Sequence, residues 1–280
     1  MLNLGKINSL HVRKKATCGI FLGDDSDQEV LLPNKYMPKN LDLNDSIDVF
    51  LYTDSEDRIV ATTLTPKIFL HQFAVLEVKD VTKIGAFLDW GLDKDLFLPL
   101  SEYRGRVREG DKVTVCLCFD EKTDRLFASA KINDHTHREL TVHEGEEVDL
   151  LIDRESEIGW QVIINNRHIG LIFFDKIFKP LHKGDRVKGF IENIREDGKI
   201  DVSLQKRGYA QVEDSQAVLL KKLQENNGVL YLTDKSDAKL ISQKLGMSKK
   251  VFKKCVGALY KQRKIKIESD CIVLLKKKES

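Results

Sequence analysis

Apolar residues occur in short runs along most of this chain. Up to about residue 212 the runs are 4–8 residues long, rich in Val, Ile, Leu and Phe, and separated by Gly, Asp and Asn. No long helical period appears in this part of the sequence. Runs of this length and composition predict β-strands joined by tight turns.

The pattern of runs repeats three times, with constant spacings of 14 and 12 residues between its marker positions. The markers are Gly19, Pro33 and Asp45 in the first copy, Gly85, Pro99 and Asp111 in the second, and Gly159, Phe173 and Asp185 in the third. Each copy then ends in a turn and a last strand, so that it contains five strands in about 65–70 residues. This arrangement predicts small closed antiparallel barrels of the OB type, which leave no strand edge exposed.

Strand alternation in the second copy separates core positions from surface positions, because successive side chains point to opposite faces. In the segment KIGAFLDWG, one face carries Ile84, Ala86, Leu88 and Trp90. This apolar set is expected in the core, so Phe87 points outward. An outward Phe next to Gly suits stacking on nucleic acid bases, which is worth roughly 1–3 kcal/mol per base. Packing under a neighbouring domain is the alternative.

The same alternation applies to the other two copies, with different results. Phe21 points outward in the first copy, as Phe87 does in the second. In the third copy Gln161 takes this position and Trp160 takes the inward register. Phe173 falls on the ligand side there, so the third barrel is expected to bind more weakly or differently.

A helical period begins at about residue 212. A first helix ends at Asn227-Gly228, a short strand VLYL follows, and residues 233–265 read as helix, tight turn and helix. Ser236 and Ser248 are the expected N-caps, and Gly246 is the expected helix stop. Two β runs close the chain, and this order of elements predicts a winged helix.

The last predicted helix has an apolar side and a basic side. Its apolar residues recur at helical spacing, namely Phe252, Cys255, Val256 and Leu259. Its lysines are Lys249, Lys250, Lys253, Lys254 and Lys261. Residues 211–280 contain 16 Lys and Arg against 8 Asp and Glu, although the net charge of the whole chain is only +2. Lysines suit phosphates, whereas reading bases needs Arg, Asn or Gln. This helix is therefore expected to contact the nucleic-acid backbone without reading the base sequence. The alternative is that the winged helix packs against protein and its lysines lie in solvent.

The second copy resembles the S1-type RNA-binding OB domain. Gly85, Ala86 and Phe87 match its GAF segment, Leu100 and Ser101 its IS, and Gly110 and Asp111 its GD pair. Asp120 and Arg125 fall where that family carries the acidic and basic contacts of its fifth strand. The sequence departs from the family at Ile84, which replaces an aromatic residue, and at Pro99, which replaces a histidine. Pro99 ends a strand, where its missing N–H is tolerated.

The predicted fold is mainly β with a C-terminal α+β unit: three tandem five-stranded S1-type OB barrels followed by a winged helix. The expected domain limits are residues 1–64, 65–134, 140–206 and 212–278. Candidate RNA-binding residues combine the outward rings, the turns before the last strands and the basic helix. They are Phe21, Arg58, Phe87, Phe97, Asp120, Arg125, Phe173, Lys199, Lys249, Lys250, Lys253, Lys254 and Lys261.

Over its whole length the chain resembles the conserved virulence factor B family of bacterial RNA-binding regulators. The resemblance is carried by TDKS at 233–236, LGMSKK at 245–250, FKK at 252–254 and GALYK at 257–261. It implies a cytoplasmic RNA-binding protein that affects gene expression after transcription.

Sequence features that would indicate a secreted protein, a membrane protein, an enzyme or a metal-binding protein are weak or absent. The sequence has neither a signal-peptide pattern nor an apolar stretch of about 18 residues, and its five scattered cysteines suit reduced thiols. Phosphate-binding glycine loops and the GxSxG motif are absent. His135, His137 and His143 lie close in sequence, but no Cys or acidic residue is expected to complete a metal site with them. Asp89, Asp93 and Asp95 resemble a nuclease trio but are expected to be solvated loop residues, so no enzyme activity, cofactor or metal is predicted.

Two hypotheses of different classes therefore stand. The favoured one is a single-stranded RNA-binding protein with no membrane contact, whose winged helix can bind other nucleic acid. The other is a DNA-binding transcription regulator that uses the winged helix, with the barrels as protein-interaction domains. The sequence leaves the RNA target and the oligomeric state open.

Overall fold

A computed structural model of the chain describes residues 2–24, 28–137, 139–205 and 209–275, with the backbone alone for 209–214. Residues 1, 25–27, 206 and 276–278, which the predicted domain limits include, lie outside the described residues. The described part is mainly β and ends in a helical domain, which confirms the predicted fold class. It forms two compact units: the first holds two barrels, and the second holds a third barrel and the winged helix.

The first barrel is closed, with strand order β1-β2-β3-β5-β4. Its strands are β1 (Ile7–Ala16), β2 (Gly19–Gly23), β3 (Glu29–Pro33), β4 (Ser46–Thr53) and β5 (Ile59–Thr62). The closing pair β3–β5 is parallel, through Leu31 and Val60. The prediction of a wholly antiparallel barrel is wrong at this pair, because the connection from β3 crosses to β4 before β5 returns to the seam.

The second barrel repeats the same strand neighbours, in the order β10-β9-β6-β7-β8. Its strands are β6 (Phe73–Val81), β7 (Gly85–Asp89), β8 (Leu96–Pro99), β9 (Lys112–Asp120) and β10 (Arg125–Ser129). The end strands β8 and β10 lie side by side, but these described strands form no hydrogen-bonded ladder with each other. Ala86 and Leu88 are fully buried, as predicted, whereas Ile84 precedes the strand and is 68% exposed, so its predicted core position is wrong.

The third barrel, like the first, is closed by a parallel pair. Its strands are β11 (Glu147–Glu155), β12 (Gly159–Ile164), β13 (His168–Phe173), β14 (Arg186–Ile194) and β15 (Ile200–Ser203). Trp160 packs against its core, in agreement with the predicted inward register.

Cross-strand register explains the repeated spacing of 14 residues. Gly19 pairs with Pro33, and Gly85 pairs with Pro99, across the β2–β3 and β7–β8 hairpins. A Cβ atom at Gly85 would collide with the carbonyl oxygen of Leu98, so only glycine permits this approach of the strands.

The repeated aspartate has a structural role in each barrel. Asp111 Oδ2 accepts a hydrogen bond from the backbone N–H of Arg108 at 2.8 Å, which closes the turn before β9. Asp45 and Asp185 make the same bond three residues back, also at 2.8 Å. These residues cap turns and are engaged there.

The C-terminal domain has the predicted winged-helix order. Its elements are α1 (Tyr209–Glu225), β16 (Val229–Leu230), α2 (Ala238–Leu245), α3 (Lys249–Lys261), β17 (Ile265–Ile267) and β18 (Ile272–Leu274). Gly246 ends α2 with a φ of 64°, and the Ser248 side chain caps α3, both as predicted. The predicted N-cap Ser236 is wrong: Asp237 caps α2, because the Ser236 hydroxyl is held by the backbone N–H of Thr233.

Candidate nucleic-acid interface

The outer surface of the second barrel contains a cleft of about 840 Å³. Five aromatic residues line it: Phe87, Trp90, Phe97, Phe119 and Phe127. Cations and carboxylates surround the rings, namely Lys94, Lys122 and Arg125, and Asp57, Asp95, Glu102, Asp120 and Glu121. The cleft therefore offers ring faces with both charge types at its margin.

Two facing strands hold the first pair of rings. Phe87 on β7 lies directly opposite Phe97 on β8, and their ring centroids are 5.4 Å apart at an interplanar angle of 42°. Leu96 and Leu98, on either side of Phe97, are buried in the core, so alternation directs the ring outward. The structure thus brings together two of the sequence-predicted residues.

Gly85 makes room for this arrangement. A Cβ atom at this position would lie 2.7 Å from the Phe97 ring, so the ring lies directly over the strand backbone. The ring face is supported from below while its other side borders the cleft. A rigid, half-buried ring of this kind loses little conformational freedom when a base stacks on it.

Phe127 is a ring that sequence reasoning missed. It lies on β10 between Leu126 and Ala128, which are both buried, so it points outward by the same alternation that identified Phe87. Its repeat equivalents are Val60 and Asp201, which form part of the parallel closing pairs in the other barrels. In the second barrel Phe97 and Phe127 occupy this seam, where the described strands have no ladder. Phe119 at the end of β9 was missed as well.

A turn of the first barrel reaches the cleft. Asp57, in the β4–β5 turn, forms an ion pair with Arg125 and lies 3.9 Å from Lys94 Nζ. Lys94 Nζ also donates to the backbone carbonyl oxygen of Asp54 at 2.6 Å. Burial lowers the pKa of Lys94, although the carboxylate of Asp57 opposes this effect. Two of the cations at the cleft are therefore already engaged by the first barrel.

This turn is held in place by aromatic packing between the two barrels of the first unit. Phe50 and Tyr52 point away from the core of their own barrel and contact Trp90, with ring centroids 5.8 and 6.2 Å apart. Val60 belongs to the same cluster. The outer surface of the β4–β5 hairpin is thus covered by the second barrel.

Asp120 serves its own turn. Its carboxylate accepts hydrogen bonds from the Thr123 hydroxyl at 2.7 Å and the Lys122 N–H at 3.0 Å. The bond from Thr123 holds the pKa of Asp120 below its usual range. Asp120 lines the cleft as a charged turn residue that already has partners.

The candidate residues of the first barrel lie apart from this cleft. Lys14 Nζ lies 4.5 Å from the centroid of the half-buried Phe21 ring, a cation–π contact. Arg58 donates two hydrogen bonds to Asp54 Oδ2, at 2.7 and 2.9 Å. A base could stack at Phe21 only if Lys14 moved from the ring.

The third barrel shows the predicted departure. Gln161 accepts from Arg154 at 2.8 Å where the other barrels carry a ring. Phe173 is half-buried, with the Arg195 guanidinium 5.6 Å from its centroid. Lys199 pairs with Asp197 at 2.7 Å within the turn.

Helix α3 carries its lysines on the surface of the winged helix. Lys250, Lys253, Lys254 and Lys261 are exposed, and Lys249 at the helix start is partly buried. A Cβ atom at Gly257 would meet no atom within 4 Å, so this side of the helix is open. Tyr260 is 55% exposed on α3 and was missed by the charge pattern. The apolar stripe predicted for α3 is confirmed, because all four of its residues are buried.

The sequence also offered two weaker candidate sites, a trio of aspartates and a group of three histidines, and most of these side chains have other partners. Asp93 pairs with Lys35 and Asp95 with Lys79, whereas Asp89 pairs with Lys67 and lies 3.9 Å from the same Lys79. His143 pairs with Glu146, and the His137 ring lies 6.5 Å from His168. His135 lies beside Cys118, at 3.6 Å. The expectation that no cysteine lies near these histidines is wrong for His135, because the fold brings together residues that the sequence separates.

Comparison with known proteins identifies the domain types. The S1 domain model matches residues 4–64 and 72–131, and the CvfB-like winged helix domain model matches residues 217–274. Both are nucleic-acid-binding types of domain, which supports nucleic-acid binding by this chain.

Several relatives align with this chain over most of both lengths. Protein YitL of Bacillus subtilis is 28% identical over 93% of this chain and 90% of its own length. Conserved virulence factor B of Staphylococcus aureus is 24% identical over 85% of this chain and 82% of its own. A multidomain protein with nucleic acid binding domains from Streptococcus pneumoniae aligns with 97% of this chain and 98% of its own, at 24% identity and a TM-score of 0.43. Among the described residues, no helix is long and apolar enough to cross a membrane.

Proposed function

We propose that this relative of conserved virulence factor B, built from S1 domains and a CvfB-like winged helix, binds single-stranded RNA in the cleft of its second barrel. The observation that carries the proposal is the set of rings Phe87, Phe97 and Phe127 around one cleft of about 840 Å³. Pockets of about 300–1,000 Å³ accept molecules of drug size. The cleft therefore has room for one or two splayed bases.

Ring faces favour single strands over duplexes. Bases can stack on protein rings only when they are not stacked within a helix, and single-strand-binding barrels gain roughly 1–3 kcal/mol per base in this way. Every base has a π-face, so this binding tolerates many sequences. The protein then acts as an adaptable RNA binder.

Charge has a secondary part in this cleft. Arg125 is paired with Asp57, and Lys94 is bound to the same turn, so a phosphate must compete for both. The exposed lysines of α3 supply backbone contacts instead. In this proposal the domains at 1–64, 65–134 and 140–206 share one RNA strand with the winged helix at 212–278.

The proposed biological role needs RNA binding alone and no catalytic step. The protein regulates gene expression after transcription by binding RNA in the cytoplasm. The family resemblance supports this role, and the five free cysteines suit a reducing compartment.

The test is equilibrium binding of fluorescein-labelled single-stranded RNA to the full chain. The double change Phe87→Ala/Phe127→Ala should weaken RNA binding by about 5- to 150-fold. This range corresponds to the loss of stacking on one base, roughly 1–3 kcal/mol. Phe174→Ala is the control, since this ring is 43% exposed in the third barrel. Equal affinity of the double variant and the wild type would refute the proposal.

A DNA-binding regulator is the second candidate, favoured by the open, lysine-bearing side of α3 around Gly257. It predicts that duplex DNA binds more tightly than single-stranded RNA of equal length at equal salt. It also predicts no effect of the Phe87→Ala/Phe127→Ala change.

A further inference from the structure

Two thiols and an imidazole meet beside strand β9, on its side that faces away from the core of the second barrel. Cys116 and Cys118 are two residues apart on β9, so alternation places both on the side opposite the core residues Val115 and Leu117. The short 3₁₀ turn Ile132–His135 follows β10 and brings His135 against them.

The three donors have the spacing of a metal site. Their ligand atoms all lie within 4.8 Å of one another. Cys118 Sγ lies 3.7 Å from His135 Nδ1 and 3.6 Å from Nε2. Zn–S and Zn–N bonds of about 2.3 and 2.0–2.1 Å at a tetrahedral angle put sulfur and nitrogen about 3.6 Å apart. Either ring nitrogen can reach the metal by rotation of the imidazole about its Cβ–Cγ bond.

The surroundings suit a soft ion. Cys116 is 2% and Cys118 is 6% exposed, and their thiol groups also make long contacts, of 3.7 and 3.8 Å, to backbone carbonyl oxygens of their own strand. His135 is only partly buried, which leaves a route from solvent and a position for a fourth ligand such as water. Thiolate and imidazole together select Zn²⁺ and Cu⁺ over hard cations such as Mg²⁺ and Ca²⁺.

We propose that Cys116, Cys118 and His135 bind a d¹⁰ metal ion, Zn²⁺ or Cu⁺, through two thiolates and one imidazole nitrogen. The two thiols release their protons to solvent as the metal–sulfur bonds form. The bound ion fastens the turn Ile132–His135 to β9. Since Cys118 pairs with Phe127 across β9–β10, the ion also lies next to a strand that lines the cleft.

Cobalt titration of the full-length protein tests the site directly. Co²⁺ replaces Zn²⁺ in such sites and gives a thiolate-to-cobalt charge-transfer band. We expect one equivalent to produce this band in the wild type, and stoichiometric zinc to abolish it. Cys118→Ser should remove the band, whereas Cys18→Ser, which changes an exposed thiol of the first barrel, should leave it unchanged. A wild-type protein that neither gives the band nor takes Cu⁺ from a chromophoric chelator overturns the proposal, as does an equal band in Cys118→Ser.

A second variant covers the case in which a buried substitution disturbs folding. His135→Asn alters a partly buried turn residue and keeps both thiols. Zinc should raise the melting temperature of the wild type but not of His135→Asn, and an equal rise in both overturns the assignment of His135. Competition with a chromophoric Cu⁺ chelator, run in parallel, decides between the two ions. The RNA-binding proposal is tested with the metal-free protein, so it stands or falls independently of the metal site.

Discussion

At the scale of single residues, strand alternation accounts for most of the candidate site. It placed Phe87 outward from the sequence alone, and Phe127 obeys the same rule between two buried neighbours. Comparison of the three copies did not reveal Phe127, because the equivalent positions hold Val60 and Asp201. Matching copies reveal the structure that they share, whereas a binding residue can be present in one copy only.

The thiol–imidazole cluster was beyond sequence reasoning for a different reason. Cys118 and His135 are 17 residues apart and approach each other only because a 3₁₀ turn folds back over β9. Short sequence spacing grouped His135 with His137 and His143, whose side chains have other partners. Proximity along the chain is a poor guide to a site built across strands.

Gly85→Ala should destabilise the second barrel by about 1–3 kcal/mol, the usual cost of overpacking. The new methyl group would meet the Leu98 carbonyl oxygen and the Phe97 ring, so that strand β8 or the ring must move. Amide hydrogen exchange of β7 and β8 measures the loss, and RNA affinity should fall with it.

Gly257→Ala is the matched control for this change. The added Cβ at this helical position meets no neighbour within 4 Å, so the substitution should stabilise the winged helix by up to about 1 kcal/mol. Equal exchange rates in Gly85→Ala and the wild type would show that the β7–β8 hairpin has room for a methyl group at Gly85.

At the scale of elements, the strands and helices were largely predictable, and their mutual packing was not. The 14-residue spacing gave the hairpin register, because marker residues face each other across it. The contact of Phe50 and Tyr52 with Trp90 left no trace in the pattern, since outward aromatic residues suit a ligand or a neighbouring domain equally well. For these residues the neighbouring domain is the partner.

The β4–β5 turn of the first barrel should restrain RNA binding by the second. Asp57→Asn removes the charge that holds Arg125 and lies near Lys94. Asn suits the left-handed backbone at this position, where φ is 61°, so the turn should persist. RNA affinity should rise several-fold at low salt, and the slope of log K against log salt should steepen by about 0.7 for one added phosphate contact.

Glu56→Gln is the control for Asp57→Asn. It removes a carboxylate from the same turn that pairs with Arg58 and does not line the cleft. If both variants gain affinity equally, general charge repulsion and not the contact with Arg125 explains the effect. An unchanged Asp57→Asn variant would show that phosphates do not reach Arg125.

At the scale of the whole molecule, charge is divided between the barrels and the C-terminal domain. The lysine-rich end was evident from composition, and the structure places four of the five predicted lysines of α3 on its surface. Which nucleic acid they meet depends on side chains and their geometry, which composition does not specify. Salt is therefore expected to weaken the lysine contacts of α3 more than the stacking of bases in the cleft.

Lys253→Gln/Lys254→Gln should lower RNA affinity and reduce the salt slope by up to about 1.4, because two phosphate contacts to a single strand are lost. Lys221→Gln/Lys239→Gln removes the same charge from exposed positions elsewhere in the domain and serves as the control. Fluorescence anisotropy across a salt series gives both slopes. A reduction shared by both variants would mean that net charge alone sets the affinity.

Photo-crosslinking tests the central claim most directly. Single-stranded RNA carrying 5-iodouridine is bound to the full-length wild type and irradiated, and the attached peptides are mapped by mass spectrometry. Stacking in the cleft predicts crosslinks at Phe87, Phe97 or Phe127, and their loss in Phe87→Ala/Phe127→Ala. Crosslinks confined to α3 or to the other barrels, with none on β7, β8 or β10, would contradict it.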